Sequence, residues 1–526
     1  MKPIRNVTQL CESILCFVVI AGGMPHADLG DQSFKLRSEN PLANDQFGSS
    51  TAVFGTTAIV GAPRDGFDSG AAYLFDTTTG RQIVKLLPND PSSGAFFGAS
   101  VSISSSMAII GAPSDATNGD NSGAAYLFDL SSGTQIAKLL PDDGAAGDAF
   151  GFSVAIAGSR VIIGAFGDDD SGTNSGSAYI FSAPSGAQLE KVLPSDGAAQ
   201  DYFGYSVAIG SSRVIVGAYQ DDDNGIESGS AYIFDISQAR QIAKLLPSDG
   251  ALFAFFGRSV GISGPNAIVG AYQAKDDNGL YVGSAYIFAT SGGTELRKLE
   301  ANDAAELDLF GISVAISGTI AIVGAQLDDD NGQDSGSAYL FRTSSGVQLA
   351  KLLPSDGAPN GYFGTAVSTN GTISVVGEGS LAFDSDSAYV FGSTPALASE
   401  SSSISLSTGG SQSLALEGGP ARAGWIYFLL GSVTGTAPGI DFGGGVVLPL
   451  NFDIYMNLTL TKPGLGAFGN FRGSFDASGQ AVSTLTLPAI MDPSLAGVVI
   501  HHAYLAGSVF GIAEFASNAV PVTLVL

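Results

Sequence analysis

Histidine and cysteine are nearly missing from this chain. The three histidines are His26, His501 and His502, and the two cysteines are Cys11 and Cys16, so residues 27–500 hold neither. That excludes a zinc centre there, and it excludes a serine or cysteine nucleophile served by an imidazole base. Basic residues are also scarce: Lys and Arg number 22 against 49 Asp and Glu, for a net charge of −27. Such a chain repels nucleic acid and anionic membranes, so no nucleic-acid partner is expected. Charged residues make up only 13% of the chain, but 45% is apolar, which indicates folded rather than disordered structure. No apolar run after the N-terminus is long enough to span a membrane, since His501, His502 and Glu514 interrupt the C-terminal one.

Residues 1–27 read as a signal peptide. Lys2 and Arg5 form the basic start, Ser13–Ala21 the apolar core, and Ala21-Gly22-Gly23 and Ala27 supply small residues for cleavage. The alternative is an uncleaved anchor. Lys2, Arg5 and Glu12 sum to +1, which leaves −28 for the rest of the chain. Both cysteines fall in this segment, so the mature protein would use no disulfides. No transmembrane segment is expected in it, and its expected location is extracellular or the cell surface.

Glycine, by contrast, is abundant at 71 residues, and part of it is periodic. Phe-Gly recurs at Phe47, Phe97, Phe150, Phe203, Phe256, Phe310 and Phe363, in steps of 50 to 54. Fourteen residues after each Phe stands Gly61, Gly111, Gly164, Gly217, Gly270, Gly324 or Gly377. A fixed period with a rigid internal spacing marks one supersecondary unit copied seven times. In the fourth copy, short β-branched and aromatic runs predict strand A from Phe203, B over 214–218, C over 229–234 and D over 241–246. Seven four-stranded units predict an all-β chain with a seven-bladed β-propeller over 28–395. Asp31–Leu36 matches Arg81–Leu86, a strand D without a preceding blade, whereas the seventh copy stops at strand C. The N-terminal strand is therefore expected to complete the last blade and remove a free edge. Residues 396–405 read as a linker, and 406–526 as a small β-sandwich-like domain.

Within the repeat, the glycines are read as packing devices that allow close sheet approach or a positive φ. Lys35, Lys85, Lys138, Lys191, Lys244, Lys298 and Lys351 share one position on strand D. They are read as edge charges that discourage pairing with other chains.

These residues resemble the FG-GAP repeats of the integrin α-subunit propeller. Gly61-Ala-Pro63 and Gly111-Ala-Pro113 are intact triplets, and later copies relax to forms such as Gly217-Ala-Tyr219. The resemblance covers roughly 31–391 and implies an extracellular propeller serving adhesion or ligand binding. That family's calcium loop lies between the FG and GAP strands. Here the connection is a tight turn such as Ala157-Gly-Ser-Arg160 with no carboxylate, so those sites do not carry over. Two C-terminal runs, 447–453 and 475–479, resemble a module of secreted planctomycete proteins.

In a four-stranded meander the B–C loops and D–A connections leave by one face. Most acids fall in those segments, which predicts one strongly acidic face. The densest runs offer Asp168, Asp170, Asp221, Asp223, Asp328 and Asp330 as candidate metal ligands. Calcium is the cofactor they could hold, although none is required. The alternative is that they are solvated turns that keep the protein soluble. The expected function is a non-enzymatic, monomeric binding or adhesion protein with a protein or glycan ligand, cationic ligands suiting the acidic face. The rival reading is an extracellular carbohydrate-active hydrolase using face carboxylates. It needs one blade to differ and paired acids in a deep pocket.

Overall fold

In the computed structural model the described residues are 30–392, except 31, 40–43, 78, 184, 277 and 380–386. Further along they are 397–399, 403–405, 407–417, 424–433, 440–441, 447–448, 455, 459, 467–476, 480–488, 495–496, 498–507, 513–516 and 520–525. The expected signal peptide lies outside them, as do parts of the two C-terminal runs.

Gln32–Phe391 forms one compact unit. It holds seven antiparallel sheets of four strands each, in order A-B-C-D. In blade 4 the strands are Phe203–Ile209, Arg213–Ala218, Ser230–Asp235 and Arg240–Leu245. Strand A of each blade packs against strand A of the next, and that of the first against that of the seventh, so the A strands ring a central axis. Strands B and C are buried on both faces, because each sheet is sandwiched between two others. Strand D alternates and forms the outer edge. The ring closes as expected: Gln32–Leu36 pairs antiparallel with Ser387–Gly392, matching Lys35 to Tyr389 and Leu36 to Ala388.

The repeated residues build the contacts between blades. Each FG phenylalanine meets the tyrosine and phenylalanine of its own strand C edge-on, with ring centroids 5.3–5.9 Å apart, as Phe97 does with Tyr126 and Phe128. Hydrophobic clusters then bridge neighbouring blades, for example Ile59 and Leu74 of the first with Ile110 and Tyr126 of the second. Gly217 carries both meanings of a packing glycine. A Cβ there would lie 2.0 Å from the Gly257 carbonyl oxygen of the next blade, and Gly257 itself has φ +90°. A serine seals the same junction: Ser206 Oγ donates to the Gly257 oxygen at 2.7 Å, and Ser50, Ser100, Ser153, Ser259 and Ser313 repeat this bond. Its sequence signal is a serine three residues after the first six FG phenylalanines. At the seventh blade, which adjoins the first, the position holds Ala366.

The C-terminal part folds separately. One sheet includes Gly410–Glu417 and Gln480–Leu487, and a larger one includes Ile426–Ser432, Val499–Gly507 and Val520–Val525. Leu414, Leu416 and Leu485 from the first share a core with Tyr427, Leu429 and Tyr504 from the second. His502 is buried in the larger sheet while His501 is half-buried, so the neighbouring histidines face opposite ways. Burial pushes the His502 imidazole down to about 3, which keeps it neutral, and Tyr455 Oη lies 3.1 Å from its Nε2.

Candidate functional site

Strand A begins, and strand B ends, on the face where the B–C loops and D–A connections emerge. Two layers of side chains meet there.

The outer layer is the acidic one. Asp168, Asp221 and Asp328 lie in the B–C loops of blades 3, 4 and 6 and are buried. The strand-C tyrosine of the same blade donates to each: Tyr179 to Asp168 at 2.9 Å, Tyr232 to Asp221 at 2.8 Å and Tyr339 to Asp328 at 2.8 Å. The strand-D lysine completes the group. Lys191 Nζ lies 2.7 Å from Asp143, 2.9 Å from Asp168 and 2.6 Å from Asp170. Lys244 joins Asp196, Asp221 and Asp223 at 2.5–2.9 Å, and Lys351 joins Asp303, Asp328 and Asp330 at 2.6–2.9 Å. Thus the structure pairs Asp168 with Asp170, Asp221 with Asp223 and Asp328 with Asp330, each pair around an ammonium ion. Asp143, Asp168 and Asp170 have oxygens within 4.8 Å of one another, the spacing a metal ion would need, but the Lys191 ammonium already bonds all three.

The lysines are therefore not the free edge charges expected from their position on strand D. Each stands opposite the strand-C tyrosine, lies over its ring and points back into the acids; Lys244 Nζ is 5.1 Å from the Tyr232 centroid. Burial opposes the charge on Lys191, but its bonds to Asp143, Asp170 and Asp168 outweigh that and raise its pKa. Asp328 is likewise held below the usual carboxylate range: burial acts against ionisation, and the bonds from Lys351, Tyr339 and Ser337 overcome it. The tyrosine hydroxyls, buried beside carboxylates, are raised and stay neutral donors. Blade 5 departs from the pattern. Ala274 stands where the buried aspartate would be, Tyr286 donates to Asp249, and Lys298 pairs with Asp249 and Glu300. The acids do not recur in every blade, and the odd blade has lost a carboxylate rather than gained one.

A second acid stands two residues before the FG phenylalanine in blades 1, 3, 4 and 6, at Asp45, Asp148, Asp201 and Asp308, all buried. Asp201 Oδ2 accepts from the Ala198 N–H at 2.7 Å, and Asp308 Oδ2 from the Ala305 N–H at 2.7 Å. Burial, reinforced by the charges of Asp221 and Asp328 respectively, pushes both carboxyls up to about 6. Their folded pKa exceeds the unfolded value, so their stabilising share is complete below about pH 4 and is lost as pH rises through 6. Asn at both sites keeps the acceptor oxygen and removes the titration. The double variant is expected to gain about 2 kcal/mol or more over wild type at pH 7 and little at pH 4. Urea midpoints across pH 4–7 measure that difference, and a constant offset between the two proteins contradicts it.

The inner layer follows no repeat rule. Phe152 and Phe166 of blade 3 contact each other with centroids 4.6 Å apart, and Phe152 lies 4.6 Å from Tyr205 of blade 4. Tyr205 meets Tyr219 at 4.4 Å, Tyr219 meets Phe255 of blade 5 at 6.0 Å, and Phe255 stacks on Tyr272 at 5.3 Å. Tyr202 bridges Phe166 and Tyr219. All of these rings are half-buried. The residue before each FG phenylalanine, Tyr202 and Phe255 included, has a φ of 52–57° in all seven blades, a left-handed backbone that bulky side chains adopt rarely. The Arg258 guanidinium lies 4.5 Å from the Tyr205 centroid. The arc runs into a concavity of about 480 Å³ on blades 1–3, lined by Pro63, Arg64, Phe96, Pro113, Phe152, Phe166 and neighbours, with no carboxylate among them. Sequence reasoning missed this arc. Its signal was legible only by comparing copies at the residues flanking FG and following Gly-Ala: Phe, Tyr and Arg gather there in copies three to five.

A closed ring of seven four-stranded blades, with its variable side chains gathered at one rim, is a seven-bladed β-propeller of the integrin α-like kind. The FG-GAP repeat family matches residues 31–75, 81–128, 134–181, 187–234, 239–288, 294–341 and 347–391, and the chain belongs to that family. No curated protein matches it. FG-GAP propellers are typical of extracellular or surface proteins, often bind or adhere, and are typically not enzymes. No helix among the described residues is long and apolar enough to cross a membrane.

Proposed function

We propose that this chain is an exported, non-enzymatic binding or adhesion protein whose ligand docks on the rim formed by the B–C loops and D–A connections, over blades 3–5. One observation carries this reading: the rim rings that contact one another lie in the adjacent blades 3–5, whereas residues needed for the ring recur around it. Blades 4 and 5 also expose Ile226, Leu252, Phe253 and Leu280 in loops on the same side. Tyrosine, arginine and phenylalanine are the residue types that dominate binding energy at recognition surfaces. The hydrolase alternative is weaker. The acids of raised pKa are buried and recur in several blades, and no carboxylate lines the concavity.

Glycan and protein arrays probed with the full chain test the proposal. Capture is expected to fall at least tenfold in Tyr219→Ala. Arg160→Ala, on the A–B turn of the opposite face, is expected to behave as wild type. Equal loss in both variants, or turnover of a glycoside that disappears on mutating two face acids, would overturn it.

A further inference from the structure

The propeller spends its lysines. All seven strand-D lysines bond carboxylates. Two cations at the inner rim are not spent in this way. The side chains of Arg64, exposed at the mouth of the concavity, and of Arg258, lying on Tyr205, make no ion pair or hydrogen bond with another described residue. Nor do the hydroxyls of Tyr205, Tyr219 and Tyr272 find a partner among the described residues. Burial raises the Tyr219 hydroxyl to about 12 and raises that of Tyr272 too, so both remain O–H groups at neutral pH. The rim thus presents ring surface, unpartnered hydroxyls and two unpaired guanidinium forks along one track, beside a carboxylate-free hollow.

Resting on the binding reading above, we propose that this track takes an acidic oligosaccharide of the uronate type. Pyranose C–H faces pack on the rings, hydroxyls exchange hydrogen bonds with the tyrosines, and carboxylates take the bidentate forks of Arg64 and Arg258. A neutral sugar would offer the guanidinium groups only hydroxyl oxygens, without the charge-assisted bidentate pairing of a carboxylate, and a cationic ligand would be repelled by them. The surrounding acids do not forbid an anionic guest. Those of the lysine clusters are offset in part by the one ammonium group at the centre of each, and at physiological salt the remaining field fades over about 8 Å. A hollow of about 480 Å³ is of the size that small-ligand sites occupy.

The test is titration calorimetry of the full chain with oligogalacturonate, oligomannuronate and oligoglucuronate, each beside its methyl ester. The ester keeps the sugar's shape and removes the charge. One of the free acids is expected to bind about tenfold or more tightly than its ester, and that preference should shrink with added salt. Arg258→Gln and Arg64→Gln should each remove most of the preference with unchanged melting temperature. Tyr219→Ala should weaken acid and ester alike. Equal affinity for acid and ester overturns the assignment of an acidic ligand and leaves the binding reading standing. Binding of none of the saccharides, with capture of a protein on the arrays, overturns it too and makes the rim a protein interface. An acid preference that survives both arginine substitutions overturns the assigned contacts.

Discussion

Lys244→Met is expected to cost the propeller about 2–3 kcal/mol. The substitution keeps the packing of the stem over Tyr232 and removes the charge that bonds Asp196, Asp221 and Asp223. Asp221 then stays buried with only the Tyr232 hydroxyl and the Asp223 N–H as donors. Removing one partner of a buried pair costs more than the pair contributes, because the other charge is stranded. The figure sits below the usual range for buried pairs because the lysine is partly exposed. Adding Asp221→Asn should recover part of the loss, so the two substitutions are expected to couple. Denaturant midpoints of the four proteins in the cycle measure this, and strictly additive losses would show that the ammonium does not hold the loop. The same proteins address calcium. Wild type is expected to melt at the same temperature in calcium and magnesium at matched ionic strength, since an ammonium already bonds the carboxylates. A calcium-specific gain in wild type would instead favour metal sites at Asp168, Asp170, Asp221, Asp223, Asp328 and Asp330.

Deleting residues 30–38 is expected to have a larger effect still. It removes the strand that pairs with Ser387–Gly392, buried Leu36, and the Lys35 bond to Asp356 at 2.6 Å. The Ser355 N–H also loses the Gln32 side chain, its acceptor at 2.8 Å. The seventh blade is left with three strands and an open edge, so the truncated chain should aggregate or melt well below wild type. Supplying residues 30–38 as a separate peptide should restore part of the melting temperature. If the truncated chain melts as wild type does, the closing strand is dispensable, and blades one and seven must be held by the A-strand contacts alone.

The ring was legible in the sequence because each blade repeats the same physical problem. The FG glycine recurs since a side chain at Gly257 would meet the Ser230 carbonyl oxygen at 2.2 Å, and the strand-C aromatics recur since each must cover the FG ring. The unmatched N-terminal strand even revealed how the ring closes. The lysines were legible as a position but not as a role. A strand letter places Lys244 on an outer edge, while only three dimensions show its stem lying along Tyr232 toward Asp196, which is 48 residues earlier. The rim was harder again. Phe152, Tyr205 and Arg258 occupy one position in successive copies yet share no residue type, so a search for what recurs passes over them. Function in a repeat protein gathers where the copies disagree.

The matched family units run D-A-B-C, as in 81–128, whereas the blades run A-B-C-D. Each copy of the repeat therefore ends one strand short of its own blade and begins by finishing the one before. A tandem duplication or loss of a whole unit would leave both chain ends complementary, whatever the number of copies. Nothing at the termini counts to seven. The number of blades must be set by how tightly neighbouring wedges fit at the FG and Gly-Ala contacts, so ring size in such a lineage would change through those junctions rather than through its ends.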